Sequence, residues 1–184
     1  MNIKMSKCIF ESAQLCRAKN DVRIRHNLNG ICILPDMRVA ATNGHVLFVG
    51  EKASTSNPLR SAVILDVQKA PTKNYDHVII NTKTLVATFR NESDITMGVS
   101  LVTLVDGEFP DVDRVINQHK PQACDKVGFN GNYLSLIGKV SVLFNKKYQS
   151  VTLDLSGSIG PAKASITSYN GESGVLIIMP MRID

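Results

Sequence analysis

A chain of 184 residues, 43% hydrophobic and 20% charged, carries enough apolar mass for the core of one or two globular domains, and this composition excludes a disordered chain. A formal net charge of +5 favours a polyanionic partner without requiring one. The opening MNIKMSKCIF lacks the apolar run of a signal peptide, and no later stretch reaches the roughly eighteen uncharged apolar residues of a membrane span, so a cytoplasmic protein is expected.

From Met5 to Lys19, Cys8, Ile9, Ala13, Leu15 and Cys16 interleave with polar residues at a nearly helical period, which predicts an amphipathic helix with Ser6 as its N-cap. LNGICILPDMRVAATNGHVLFVGE then reads as short strands broken by Asn29-Gly30, Pro35-Asp36 and Asn43-Gly44, each pair a turn former. The order recurs. SAVIL predicts a strand, DVQKAPTK a short helix limited by Pro71, and HVIIN, TLVATFR and VSLVTLV three strands. In a third pass CDKVGFN predicts a strand, GNYLSLIGKVSVLF a helix, and SVTLDLS, KASITSY and GVLIIMPM strands. Three copies of a strand, helix, three-strand unit thus account for nearly the whole chain, an α+β internal repeat. One breaker-rich joint, VDGEFPDVDRVINQHKPQ, separates the second copy from the third.

No reactive constellation emerges from this pattern. Cys8, Cys16, Cys32 and Cys124 form no CxxC and have no histidine at finger spacing, so buried free thiols are expected, with no metal and no cofactor. His45 has no carboxylate or nucleophile at a telling spacing, and the TNGH string around it reads first as a tight turn. Asp66, Asp106, Asp111 and Asp113 read as turn and cap residues, and no glycine pattern matches a phosphate loop. A non-enzymatic protein is expected.

Three strings, in order, carry a family resemblance. DVRIRHNLNGICI followed by VAATNGHVLFV is similar to the start of the middle domain of bacterial beta sliding clamps, the DNA polymerase III beta subunit family. VDGEFPDVDRVIN resembles their interdomain connector, and IIMPMRID their C-terminal tail. The chain is about half as long as a family member. The resemblance implies a complete clamp domain over residues 1–117, like the family's middle domain, and a half domain over 118–184, like the second half of its last. The DNA clamp fold so implied has about one and a half domains, with helices lining a ring and antiparallel sheets outside.

Such rings contain twelve half-domain repeats, so three per chain imply four chains. The repeats alternate up and down. By resemblance they lie in the order second, first, third, which implies a homotetramer with dihedral symmetry.

A clamp must hold duplex DNA without reading it, which calls for flexible cations directed at phosphates. Lys7, Arg17, Lys19, Lys69, Lys73 and Lys139 on the predicted helices, with Arg23 and Arg25 after the first, form the candidate DNA-binding set. The resemblance also implies an apolar groove for short peptides of a DNA polymerase, a clamp loader or other clamp-motif proteins. Its wall would comprise Leu28, Thr42, Gly44, His45 and Leu47, then Pro110, Arg114 and Val115 of the connector. Tyr133 and the tail residues Ile177, Ile178, Met179, Pro180, Met181 and Arg182 would complete it. Methionine-rich apolar walls suit this task because thioethers repack around varied side chains.

The leading reading is therefore a sliding clamp and processivity factor. The alternative is a clamp-like decoy or regulator, carried by a phage or mobile element, that binds clamp partners without encircling DNA. A hydrolase or nuclease is disfavoured by the missing acid, base or metal cluster.

Overall fold

The computed structural model describes residues 1–19, 25–55, 57–71 and 74–182. The first repeat opens with β1 (Asn2–Ser6) and α1 (Lys7–Cys16). A 3-10 turn at His26–Leu28 leads into β2 (Ile31–Ile33), β3 (Arg38–Thr42), β4 (Val46–Lys52) and the short β5 (Ser54–Thr55). The second repeat holds β6 (Val63–Val67), β7 (His77–Asn81), β8 (Val86–Arg90) and β9 (Thr96–Leu104). After α2 (Val112–Asn117) in the joint come α3 (Gly131–Phe144), β10 (Thr152–Asp154), β11 (Ala162–Thr167) and β12 (Ser173–Ile178).

The first helix starts after Ser6 as predicted, preceded by a strand, but it ends at Cys16, short of Lys19. Ile3 and Met5 are buried while Asn2 and Lys4 are exposed, a period of two that makes Asn2–Ser6 a strand beside β7. At the other end the Ala18 N–H turns to the carbonyls of Leu28 (2.9 Å) and Thr42 (3.2 Å), so the chain leaves the helix after Cys16.

Two predicted elements are corrected. The helix expected over DVQKAPTK does not form among residues 66–71; residues 72 and 73 lie outside the described set. Instead β6 runs to Val67, Gln68 N–H bonds to Leu101 O (3.2 Å), and Lys69 N–H bonds to Ser100 Oγ (3.1 Å). Helix nucleation is costly, and a segment this short with Pro71 inside it cannot recover that cost. The strand expected over CDKVGFN is also absent: one bridge, Gly128 to Met181, is its sole ladder contact among the described residues. The joint adds a helix that was not predicted, capped by Asp111, whose carboxylate accepts the Arg114 N–H at 2.9 Å.

Among the described residues the strands form one array in the order β10-β11-β12-β4-β3-β2-β6-β9-β8-β7-β1-β5. The third repeat therefore joins the first, and the first joins the second, which is the order expected. The leading strands are exchanged: β1 lies between β5 and β7, and β6 lies between β9 and β2. Because β5 directly continues β4, the strands of the first two repeats close on themselves.

Alternation along these strands sends side chains to two cores. Phe48, Ile31, Ile33, Leu65, Leu176 and Ile178 pack under α1 with Phe10, Ile9 and Phe144 of α3. Cys32, Ala40, Leu47, Val49, Ile64 and Ile177 face the other way, toward Val112 of α2. Two glycines paired across β4 and β12, Gly50 and Gly174, let the helices approach. A Cβ at Gly50 would stand 2.8 Å from Ile9, and one at Gly174 2.9 Å from Phe144.

Candidate functional site

The connector-side core opens into an apolar cavity of about 520 Å³, within the range of ligand sites. One wall is the TNGH turn. Asn43 Oδ1 accepts from the N–H groups of His45 and Val46, each at 2.9 Å, and Gly44 N–H bonds to Thr42 Oγ1 at 3.0 Å. Gly44 has a φ of +88°, a conformation that glycine adopts without strain. Thr42 closes the turn by donating from Oγ1 to Val46 O at 2.7 Å.

The connector forms the opposite wall. Val112 is 3% exposed and anchors α2 on Leu47 and Ile177, while Pro110 and Val115 reach the cavity. Arg38 clasps this segment from beneath, bonding to Asp36 at 2.6 Å and to Asp113 at 2.9 Å. Partial burial raises the Asp36 carboxyl, but the N–H and guanidinium of Arg38 outweigh it and hold the group below its usual range. Asn27 Nδ2 donates to Glu108 O at 2.6 Å, tying the 3-10 turn to the same segment.

The tail supplies the floor and rim. Ile177 is buried beneath the cavity, and Met179, 41% exposed, lines it with its N–H bonded to His45 O at 3.0 Å. Of the expected wall, Leu28, Thr42, Gly44, His45, Leu47, Pro110, Val115, Ile177 and Met179 thus meet at one cavity.

The others do not line it. Ile178 turns into the opposite core, as the residue after an inward Ile177 must on a strand. Arg114 points to solvent from α2, and Tyr133 stands behind His45 with their rings stacked, centroids 5.3 Å apart. Pro180, Met181 and Arg182 run past the rim, where Met181 N–H bonds to Gly128 O at 2.8 Å. Sequence reasoning missed Asn27, Val46, Val112 and Gln118 at the cavity, and it assigned Arg25, another lining residue, to DNA. Val112 had a usable signal, since an apolar residue directly after a capping Asp starts a short amphipathic turn.

The expected DNA-binding cations divide into groups. Arg17, Lys19 and Lys139 flank a trough of about 740 Å³ between α1, α3 and residues 67–71. Arg17 is held by Asp66 at 2.9 Å and by Asn29 O. Lys7 lies over the Tyr75 ring at 4.6 Å and 3.9 Å from Glu11. Lys69 is exposed but not on a helix, and Arg25 lies against Gly44 at the groove, away from the helix-side cations. Arg23 and Lys73 lie outside the described residues.

Two strand-exchanged repeats that close on themselves, with a third repeat joined through the sheet and α1 and α3 packed on one face, define the DNA clamp fold. Solved bacterial sliding clamps share it. The DNA polymerase III beta subunit of Thermotoga maritima is similar over 100% of this chain and 66% of its own, with 14% identity and a TM-score of 0.58. A Helicobacter pylori beta clamp in complex with 3,4-difluorobenzamide matches 96% of this chain and 63% of its own, with 12% identity and a TM-score of 0.62. The Bartonella birtlesii sliding clamp bound to griselimycin matches 99% and 66%, with 17% identity and a TM-score of 0.58. The chain thus has the fold of the bacterial beta sliding clamps and spans about two thirds of the length of the solved relatives it matches. No family model matches the sequence, and no curated protein is similar to it in sequence.

Proposed function

We propose that this protein is a non-enzymatic DNA sliding clamp, a processivity factor that encircles duplex DNA and docks partner proteins through short apolar peptides. The observation that carries this reading is the convergence of the TNGH turn, the connector and the last strand on one apolar cavity of a clamp fold. Partners of polymerase and clamp-loader type would insert peptide side chains between Leu47, Val115, Ile177 and Met179. Four chains of three repeats would close a twelve-repeat ring of dihedral symmetry, with Lys19 and Lys139 facing the phosphates from the helix side.

The test is retention on DNA. Loaded protein should stay on a closed circle, slide off the same molecule once it is linearised, and bind free duplex weakly, without sequence preference and with a steep salt dependence. Equal loss from circle and linear DNA counts against encirclement.

One feature favours the decoy reading over the clamp. Arg17 and Lys7 are paired with Asp66 and Glu11, and no second-repeat helix forms among residues 66–71, so among the described residues two of the expected helix-side cations already have acidic partners. A decoy would bind clamp-motif peptides with the same groove while showing no retention on circles.

A further inference from the structure

The first two repeats demonstrate how a half domain is completed. Each leading strand pairs on one edge with the last strand of its own repeat and on the other with the strand that follows its neighbour's leading strand, β1 with β7 and β6 with β2. The register sets apolar residues opposite each other: Ile3 and Ile80, Met5 and Val78, Ile31 and Leu65. All six are at most 4% exposed.

The third repeat has the same parts without the exchange. Its leading segment bonds to the continuation of its own last strand, Gly128 to Met181, just as Lys4 pairs with Ser54. Among the described residues no strand lies along its other edge, and β10 pairs with β11 alone. Leu153 stands opposite Ala164, which is fully buried in the helix-side core, so its side chain belongs to the face where Ile80 and Ile33 are buried; yet Leu153 is 42% exposed. Val127, Phe129 and Val151 are only partly buried.

We propose that the leading segment and the β10 edge of the third repeat form a twofold interface for a second copy of this chain. Residues 126–129 of each copy add antiparallel to residues 151–154 of the other. Setting Val127 opposite Leu153, as Ile3 stands opposite Ile80, brings Phe129 opposite Val151 and Lys126 opposite Asp154. Lys126 and Asp154 are both exposed, and neither belongs to an ion pair among the described residues. One register therefore satisfies the apolar face and the charged face together, and the twofold axis supplies every pairing twice. An exposed strand edge is a template for such addition. The connector limits it at one end, where Gln122 N–H holds Leu155 O at 2.9 Å. The incoming strand displaces one contact, His119 Nε2 to Asp154 O at 3.0 Å. The interface supplies one of the two contacts that the ring reading requires; it rests on that reading for its use and on the repeat pattern for its geometry.

The experiment uses the full chain. V127C/L153C in a C124S background should give a reducible covalent dimer on mild oxidation, while each single cysteine variant should give none. K126D, which sets Asp against Asp154, should weaken self-association in sedimentation roughly tenfold, and K126D/D154K should restore it. Covalent dimers together with charge-swap rescue, but no retention on circular DNA, would uphold the interface and remove the ring. Folded V127C/L153C that stays monomeric on the gel, or K126D that D154K does not rescue, overturns the interface whatever the DNA result.

Discussion

The imidazole of His45 stacks on the Tyr133 ring with centroids 5.3 Å apart and planes inclined by 17°. His45 belongs to the first repeat and Tyr133 to α3 of the third, so the stack spans the junction on which the groove depends. A second tie crosses at the same place, from Met179 N–H to His45 O. Tyr133 itself does not line the cavity. Its contact is with the back of the histidine that does.

Replacing Tyr133 by Ala should therefore weaken binding of a clamp-motif peptide by about 0.5–1.5 kcal/mol, the worth of an aromatic pair. Tyr133→Phe should keep most of the affinity because the stack survives. Fluorescence anisotropy with a labelled hydrophobic peptide measures both. Equal loss in the two variants would mean that the phenol, not the stack, matters.

Asp111→Ala removes the cap of α2 and should cost about 1 kcal/mol locally. Since α2 carries Val112 and Val115, peptide affinity should fall several-fold while duplex DNA binding stays unchanged. Parallel titrations decide the matter: a matching loss of DNA binding would place the connector in both functions.

Lys139→Glu and Lys19→Glu should each lower affinity for duplex DNA and flatten the salt dependence by about one unit of log–log slope, uniformly across sequences. Arg25→Glu should act on peptide binding instead, because Arg25 lines the groove. Salt titrations of the three variants on two unrelated duplexes check this; a DNA defect confined to Arg25→Glu would reverse the assignment.

Burial pushes the Cys16 and Cys32 thiols up to about 12 from an ordinary value of 9.0. Cys8 also reaches about 12, mainly through burial, with the Ser6 hydroxyl opposing and the Glu172 carboxylate adding. The folded chain then holds protons that the unfolded chain releases above pH 9. Stability is fully present below pH 9 and should fall as pH climbs toward 12, by up to about 1.4 kcal/mol per pH unit for a thiol as buried as Cys16. Urea midpoints at pH 7.5, 9 and 10.5 test the trend, and Cys16→Ala should reduce the slope. A midpoint that is level across this range would contradict it.

Phe48→Ala should destabilise the chain by about 3–5 kcal/mol, because Phe48 is fully buried against Phe144 at a centroid distance of 6.4 Å. It sits at the seam of β4 and β12, so the third repeat should loosen first. Hydrogen exchange of β11 and β12 would reveal the order, and uniform exchange across both repeats would argue for a single cooperative unit.

Periodicity alone made much of this architecture readable. The third helix, GNYLSLIGKVSVLF, matches α3 end to end, because a long apolar stripe with a capping Asn needs no partner to declare itself. The hairpins of the second repeat were equally legible from their alternating apolar residues and turn formers. The TNGH turn, the connector and the tail stood out as strings, so most of the residues that line the cavity could be named before any contact was known.

What only the tertiary structure decided are the features that depend on a neighbour. DVQKAPTK reads as a helix in isolation, but Leu101 and Ser100 compete for its amides along the edge of β9. CDKVGFN reads as a strand, and it has no second strand to make it one. Ile177 and Ile178 are indistinguishable in sequence, yet the pleat sends the first beneath the groove and the second into the opposite core. Sequence by itself determined which segments could fold and where they must turn. Which edge each would meet was settled by packing, because hydrogen-bond partners and burial are properties of the assembled sheet and not of any one strand.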